Sequence, residues 1–288
     1  MTKTVKAYAK INLHLDITGI RPDGYHNVEN VMQTVSLCDA VTVELNESGS
    51  ITCECDAAGV PTDEKNIAVR AAKMYADFTN LKKGRHVKIK KKIPMAAGLA
   101  GGSTDGAATL VALNCLNGNA LDIDALCDIG ARLGADVPFC IVGGCAYSDG
   151  RGDVLHKFPS IPNDTVFVVA CGGEGVSTPW AYRLMDNEHN NFKDYEPRGT
   201  EGLKTVLNGE APGKFYERIF NIFESGVLDE RPVAAHIKDV MLSNGALGAM
   251  MSGSGPSVFG VFDSVETAAK VEEIIKKEGY FAQVCYPV

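Results

Sequence analysis

Pro94-Met95-Ala96-Ala97-Gly98-Leu99-Ala100-Gly101-Gly102-Ser103-Thr104-Asp105-Gly106-Ala107-Ala108 is the stretch on which the reading of the fold turns. It follows Arg85–Ile93, whose alternation predicts a strand with a lysine-rich outer face, and it opens a helix expected over about Ser103–Asn117. Side chains this small let a polyanion reach the backbone. The N–H groups of a helix start have no partners within the helix and point at such a ligand. Aligned peptide dipoles add partial positive charge there. Ser103 and Thr104 can offer hydroxyls to a phosphate or to Mg2+ carried on it. The plain alternative is a surface turn with Ser103 as N-cap. No Lys-Ser/Thr pair follows the glycines, as a Walker A loop requires, and the spacing does not match GxGxxG.

Upstream, Val5 to Ile17 alternates strictly, with Val5, Ala7, Ala9, Ile11, Leu13, Leu15 and Ile17 on one face. Lys6, Tyr8, Lys10, Asn12, His14 and Asp16 take the other, so a half-buried strand is predicted with Lys10 and Asn12 side by side. Gly19 and Pro22-Asp23-Gly24 break it. Strands are expected near Val31–Leu37, Val41–Leu45 and Ile51–Cys55. A helix over Ile67–Phe78 should bury Ile67, Ala71, Met74, Tyr75 and Phe78. Downstream come a helix over Asp122–Leu133 and short strands flanking the turn Asp149-Gly150-Arg151-Gly152. Phe158–Asp164, with two prolines, suggests a boundary between domains 1–158 and 159–288. Beyond it lie a strand (Val166–Cys171), a polar, loop-rich stretch (Asp186–Gly213), and helices near Phe215–Glu224 and Val233–Ser243. The chain closes with strand Ser257–Phe262, helix Val265–Gly279 and strand Phe281–Tyr286. Strands and helices do not alternate as a βαβ series, so an α+β fold is expected rather than a doubly wound sheet.

The 288 residues, 45% hydrophobic, suffice for a large core, and the formal charge of −8 argues against nucleic acid as a partner. Nine cysteines without a CxxC pair read as buried free thiols, not as a disulfide framework or metal site. The amino terminus lacks an apolar leader and no run reaches the length of a membrane span, so a cytoplasmic protein with no membrane partner is expected.

The glycine stretch resembles the central motif of the GHMP kinases (galactokinase, homoserine kinase, mevalonate kinase and relatives). Lys10-Ile11-Asn12-Leu13-His14-Leu15, continuing through Gly19-Ile20-Arg21-Pro22-Asp23-Gly24-Tyr25-His26, is similar to their first motif, in the form carried by the branch that phosphorylates a cytidine diphosphate alcohol. Gly134-Ala135-Asp136-Val137-Pro138-Phe139 resembles the catalytic-aspartate segment, and Met251-Ser252-Gly253-Ser254-Gly255-Pro256-Ser257 the third motif. These similarities run in order from residue 10 to residue 257. The departures are Gly19-Ile20-Arg21, where the family often has two basic residues, and Thr104 and Gly106 in the central motif.

The resemblance implies an α+β, two-domain GHMP-kinase fold with the active site in the inter-domain cleft. It implies ATP and Mg2+ as cofactors and cytidine diphosphate methylerythritol as the small-molecule substrate, phosphorylated at its 2-hydroxyl. Asp136 would be the general base and Lys10 its partner; without the resemblance these read as a helix N-cap and a solvated strand residue. Pro94 to Thr104 would hold the ATP phosphates. Asn66 either touches the nucleotide or caps the next helix. Asn12, Tyr25 and His26 would hold the substrate, with Tyr25 stacked on the cytosine and His26 at its edge. Tyr182 aligns with a second stacking ring, and Trp180 competes for that place. Asp105 either assists Mg2+ or favours the helix start, and no residue is assigned as a metal ligand. The run Lys88-Ile89-Lys90-Lys91-Lys92 either attracts ATP or is a solvated strand edge. Another GHMP kinase of mevalonate, homoserine or a sugar, and a silent ATP-binding module, are the competing readings. A monomer or weak homodimer is expected.

Overall fold

The computed structural model describes residues 1–288. In chain order the elements are β1 (Thr2–Ile20), β2 (His26–Asn46), β3 (Ile51–Cys55), α1 (Ile67–Thr79), β4 (Gly84–Lys90), α2 (Gly101–Leu116), α3 (Ile123–Leu133), α4 (Val137–Val142), β5 (Cys145–Asp149) and β6 (Val154–Lys157). Then follow β7 (Val166–Cys171), α5 (Thr178–Glu188), α6 (Glu201–Asn208), β8 (Phe220–Asn221), α7 (Glu224–Glu230), α8 (Pro232–Ser243), β9 (Gly248–Met251), β10 (Val258–Phe262), α9 (Val265–Lys277) and β11 (Phe281–Cys285). The α+β expectation holds. No helix is long and apolar enough to cross a membrane.

Two units interleave along the chain. The first comprises Met1–Ala9, Leu37–Ile93 and Ala100–Gly143. Here β4 pairs antiparallel with β2, from Ala40 opposite Lys90 to Asn46 opposite Gly84, and parallel with β3 at the sheet edge. Val41, Val43, Val87 and Ile89 face Ala72 and Tyr75 of α1 and Leu110 and Leu113 of α2 in one core. Helix α1 starts where the Asn66 side chain accepts from the Ala68 N–H, and it ends at Asn80 in a left-handed cap. Its last turn leaves Phe78 55% exposed, against the expectation that it is buried.

The second unit comprises Lys10–Ser36, Pro94–Leu99 and Gly144–Val288. Its four-stranded antiparallel sheet runs β11-β7-β10-β9 and packs on α8 and α9 through Val168, Val258, Ile237 and Ile275. A separate core gathers Leu15, Ile17, Val28, Met185 and Phe223. Strand β5 pairs with β2 over Asn30–Gln33 and with β6. That pairing groups the chain as far as Lys157 with the second unit, which also holds the turn at Phe158–Asp164.

Several elements differ from expectation. The strands read at 31–37 and 41–45 are one continuous β2, because Cys38-Asp39-Ala40 keeps the alternation with Asp39 inward. The stretch 186–213 holds a 3-10 turn (Asn190–Phe192) and α6, each anchored by buried apolar residues, Phe192 and then Leu203 and Leu207. In place of a helix over 215–224 there is a 3-10 turn (Pro212–Arg218) that buries Phe215, followed by β8 and α7. Strand β9 was not anticipated. Of the nine cysteines, expected to be buried, only Cys285 is; Cys53 and Cys55 lie on the edge strand and Cys115 is exposed.

Candidate active site

The carboxy-terminal part of β1 is buried on both faces, which corrects the half-buried reading. Lys10 is 4% exposed, and its ammonium donates to Asn12 Oδ1 at 2.7 Å. Asn12 Nδ2 donates to Asn30 Oδ1 at 2.7 Å, and Ser252 Oγ lies 3.3 Å from Asn12 Oδ1 and 3.0 Å from the Gly98 carbonyl. The Lys10 N–H donates to the Leu99 carbonyl, and the Ser257 N–H to that of Ala97. Asn221 holds the Met251 and Gly253 carbonyls with one amide nitrogen. Within the second unit, then, the first motif, the Pro94–Leu99 loop and the Met251–Ser257 loop form one hydrogen-bonded set. Gly98, at φ +76°, has no room for a side chain: a Cβ would lie 2.0 Å from the Ser252 carbonyl oxygen. Its smallness serves the packing of two loops. Ala97 and Leu99 are buried anchors, while Met95 and Ala96 are exposed at the tip.

Further along the same face, His14 is buried with Nε2 unpartnered, and burial followed by the Arg198 charge pushes its pKa down to about 4. Asp16 accepts from the Tyr195 hydroxyl and from the N–H groups of Arg198 and Ile17. Burial still raises its carboxyl above the usual range.

In the first unit, α2 begins at Gly101 after Ala100 in the left-handed region, two residues earlier than expected, so Ser103 is not its cap. The N–H groups of Gly101, Gly102 and Ser103 therefore occupy the unpaired first turn. The Thr104 hydroxyl, expected to face phosphate, donates to the Tyr8 carbonyl at 2.8 Å and ties the helix to β1. At Gly106 a Cβ would meet Ile67 Cγ2 at 2.5 Å, so this departure from the family pattern lets α1 pack tightly. Asp136 is half-buried at the start of α4 and makes no side-chain cap hydrogen bond; Val137, Pro138 and Phe139 anchor its turn. Ser103 Oγ lies 3.9 Å from the Cβ position of Gly134, which sets the Asp136 turn against the start of α2. Asn66 spends both ends of its amide locally, on Ala68 and on the Pro61 carbonyl.

Lys91 is not on a solvated edge. Its ammonium sits between Asp39 and Asp105, 2.8 Å from Asp105 Oδ2 and 3.4 Å from the Gly101 carbonyl. Asp39 also accepts from the N–H groups of Lys92 and Ile93. Burial opposes charge on Lys91, but the two carboxylates outweigh it and hold its pKa high. Asp105 thus makes an internal ion pair, and no cluster of three or more His, Cys, Asp or Glu able to hold a metal exists.

In the second unit, Asp23 accepts from Arg21 Nε and the Tyr25 N–H and shapes the turn before β2. Tyr25 is 60% exposed, with the Arg151 guanidinium 5.7 Å from its ring. His26 Nε2 is 2.7 Å from Asp186 Oδ1, and its ring packs 4.6 Å from Tyr182 and 5.9 Å from Phe192. Trp180 instead lies under Arg231, so Tyr182 is the aromatic of α5 that packs on the turn.

Sequence reasoning passed over Asn30, Asp39, Asp186, Asn221 and the role of Lys91. Two left a signal: Asp39 falls among Leu37, Val41 and Val43 at an inward position, and Lys91 continues the inward series Val87, Ile89. Asp186 and Asn221 left none, since their partners are remote in sequence.

Residues 66–144 match the family model for the GHMP kinases N terminal domain, and residues 209–280 that for the GHMP kinases C terminal. A Clostridium perfringens protein named 4-diphosphocytidyl-2-C-methyl-D-erythritol kinase is 39% identical over 97% of this chain and 96% of its own length. One of the same name from Acetivibrio thermocellus is 42% identical over 95% and 94%. The crystal structure of a 4-(cytidine 5'-diphospho)-2C-methyl-D-erythritol kinase superposes with a TM-score of 0.81 at 30% identity, covering 99% of both chains. A mevalonate kinase from L. major crystallised with R-mevalonate, at 16% identity and TM-score 0.75, shares the fold. On this likeness, spread over nearly its whole length, the chain belongs to the 4-diphosphocytidyl-2-C-methyl-D-erythritol kinases of the GHMP kinase family.

Proposed function

We propose that the chain transfers the γ-phosphoryl group of ATP to the 2-hydroxyl of 4-diphosphocytidyl-2-C-methyl-D-erythritol, a step of non-mevalonate isoprenoid synthesis. The observation that carries this is the roughly 40% identity to kinases of that name over nearly the full chain. The turn that sets His26 beside Tyr182 supports a pyrimidine site in particular.

In this reading Asp136 accepts the hydroxyl proton as the oxygen attacks, and Lys10, its partner in the reaction, meets charge on the transferring group. The buried Asn12 fixes the Lys10 ammonium. Tyr25 and Tyr182 flank the cytosine and His26 reads its edge. The first turn of α2 fits a polyanion, with Gly102 exposed and without a Cβ, and the Pro94–Thr104 stretch would cradle the phosphates. Asn66 would touch the nucleotide only by releasing a cap hydrogen bond. ATP would supply the phosphoryl group, and Mg2+ carried on its phosphates would neutralise charge there. Ser103, in the first turn of α2, would offer its hydroxyl to the phosphates or to that ion.

The test is an ADP-release assay with Mg2+-ATP and the cytidine substrate, set beside mevalonate, homoserine and galactose. Turnover with the cytidine substrate alone is expected, as is its loss in Asp136→Asn with ATP binding retained. Turnover with another alcohol would overturn the pyrimidine site. Near-normal turnover in Asp136→Asn would overturn the base.

A further inference from the structure

Helix α5 meets the substrate turn through one of its faces. Tyr182 and Asp186 are four residues apart and so stand one turn above the other, beside the buried Ala181 and Met185 that fix the helix in place. Both reach the ring of His26. The Tyr182 ring lies 4.6 Å from it at an angle of 31°, and Phe192 meets it edge-on at 5.9 Å. Asp186 Oδ1 lies 2.7 Å from Nε2. A carboxylate oxygen accepts, so Nε2 is the donor, and Nδ1 is the nitrogen left for a ligand. The side chains of His26 and Asp186 are 11% and 23% exposed, so water competes little for this bond.

An imidazole by itself is an ambiguous reader. Its hydrogen can stand on either nitrogen and the ring can turn over, so a free histidine serves a donating edge or an accepting edge alike. Cytosine and uracil differ in this respect: at C4 the first has an amino group that donates, the second a carbonyl that accepts. To accept from that amino group, His26 needs its ring hydrogen on Nε2 and Nδ1 turned to the base, and Nε2 is the nitrogen that faces Asp186. We propose that Asp186 is a positioning residue for the choice of base: by holding Nε2 it leaves Nδ1 with a single sense, and His26 thereby takes the cytidine diphosphate alcohol and turns away its uridine counterpart. The proposal deepens the pyrimidine reading and rests on it. Tyr25 and Tyr182 would stack on either base, since both are flat and of one size, so stacking does not make this choice. Asp186 acts through the His26 ring and not by contact with the base.

The measurement is kcat/KM for the cytidine diphosphate alcohol and for the uridine diphosphate analogue of the same alcohol, in wild type, His26→Ala and Asp186→Leu. The wild type should favour the cytidine substrate. Asp186→Leu should lower that preference about tenfold, the worth of one hydrogen bond made with one base and left unmade with the other. His26→Ala should lower it as far. A residue that only braced α5 would raise KM for both substrates alike. An unmoved ratio in Asp186→Leu beside a lowered one in His26→Ala therefore overturns the proposal and leaves the pyrimidine reading standing. No preference in the wild type, or a ratio that His26→Ala does not move, overturns the reading of the base edge and the proposal together. Nitrogen-15 spectra of the wild-type histidines, with His26 assigned by its absence from the His26→Ala spectrum, give a check that needs no Asp186 variant. Addition of CDP should move the Nδ1 resonance of His26 and leave the hydrogen on Nε2. A shift confined to Nε2, or none at either nitrogen, overturns the proposal.

Discussion

Lys6 and Lys10 stand on the same face of the same strand, yet Lys6 is exposed to water while Lys10 is 4% exposed. The amino-terminal stretch of β1 keeps the alternation its sequence shows, with Ala7 and Ala9 inside and Lys6 outside. From Lys10 to Ile17 both faces are closed, and the row Lys10, Asn12, His14, Asp16 is as buried as the apolar row behind it. Burying polar groups costs free energy unless each finds a partner. Along this row Asn12 has Lys10 and Asn30, and Asp16 has Tyr195 and two N–H groups. A period of two reports which residues share a face. Whether that face meets water depends on chain segments far away in sequence, here Asn30, Tyr195 and Ser252.

Substitutions along that one face should therefore fall off in effect from the closed stretch to the open one. Lys10→Met removes the cation proposed to serve the phosphoryl transfer, and kcat in the ADP-release assay should drop about a thousandfold; a drop of less than tenfold would make Lys10 a packing residue like its neighbours. His14 comes next, and its effect depends on pH. Its pKa is held near 4 in the fold against 6.5 in the unfolded chain, so its contribution is complete above pH 6.5 and drains away as pH falls toward 4. Urea unfolding of His14→Phe should show an acid-side loss between pH 6.5 and 4 smaller than that of the wild type by about 2–3 kcal/mol. Parallel pH profiles would mean that the ring is hydrated when folded. Asn12→Ala strips partners from Lys10 and Asn30 and should cost about 1–3 kcal/mol by urea titration. Lys6→Ala should change stability by less than about 0.5 kcal/mol, and a larger change would erase the contrast between the two stretches.

Where burial and period coincide, the chain could be read directly. Helix α9 announces itself through Ser264 as cap, Ala268, Val271 and Ile275 inward, and Lys276 and Lys277 in the last turn. The Lys10–Asn12 pairing followed from alternation alone, and the Pro94–Ala108 stretch marked its own strand-to-helix setting. What stayed hidden has a common cause. Phe215 lies in a 3-10 turn because it fills a gap against Phe167, a neighbour that no local pattern reveals. Likewise, Asp186 supports His26 across 160 positions of sequence. The lysine run before the glycines reads as surface because composition does not say that two acids wait beneath Lys91.

The approach of Gly98 to Ser252 has a consequence for variation in this chain. Between those two backbones there is no clearance, so a single added methyl group would act as a wedge, parting Ser252 from Gly98 and straining the bond from Ser257 to Ala97. Two loops separated by 154 positions are thereby bound to a shared spelling: drift in one is checked by the other. In a map of tolerated substitutions, position 98 should appear as an empty column, kept vacant by what stands opposite and not by any chemistry of its own.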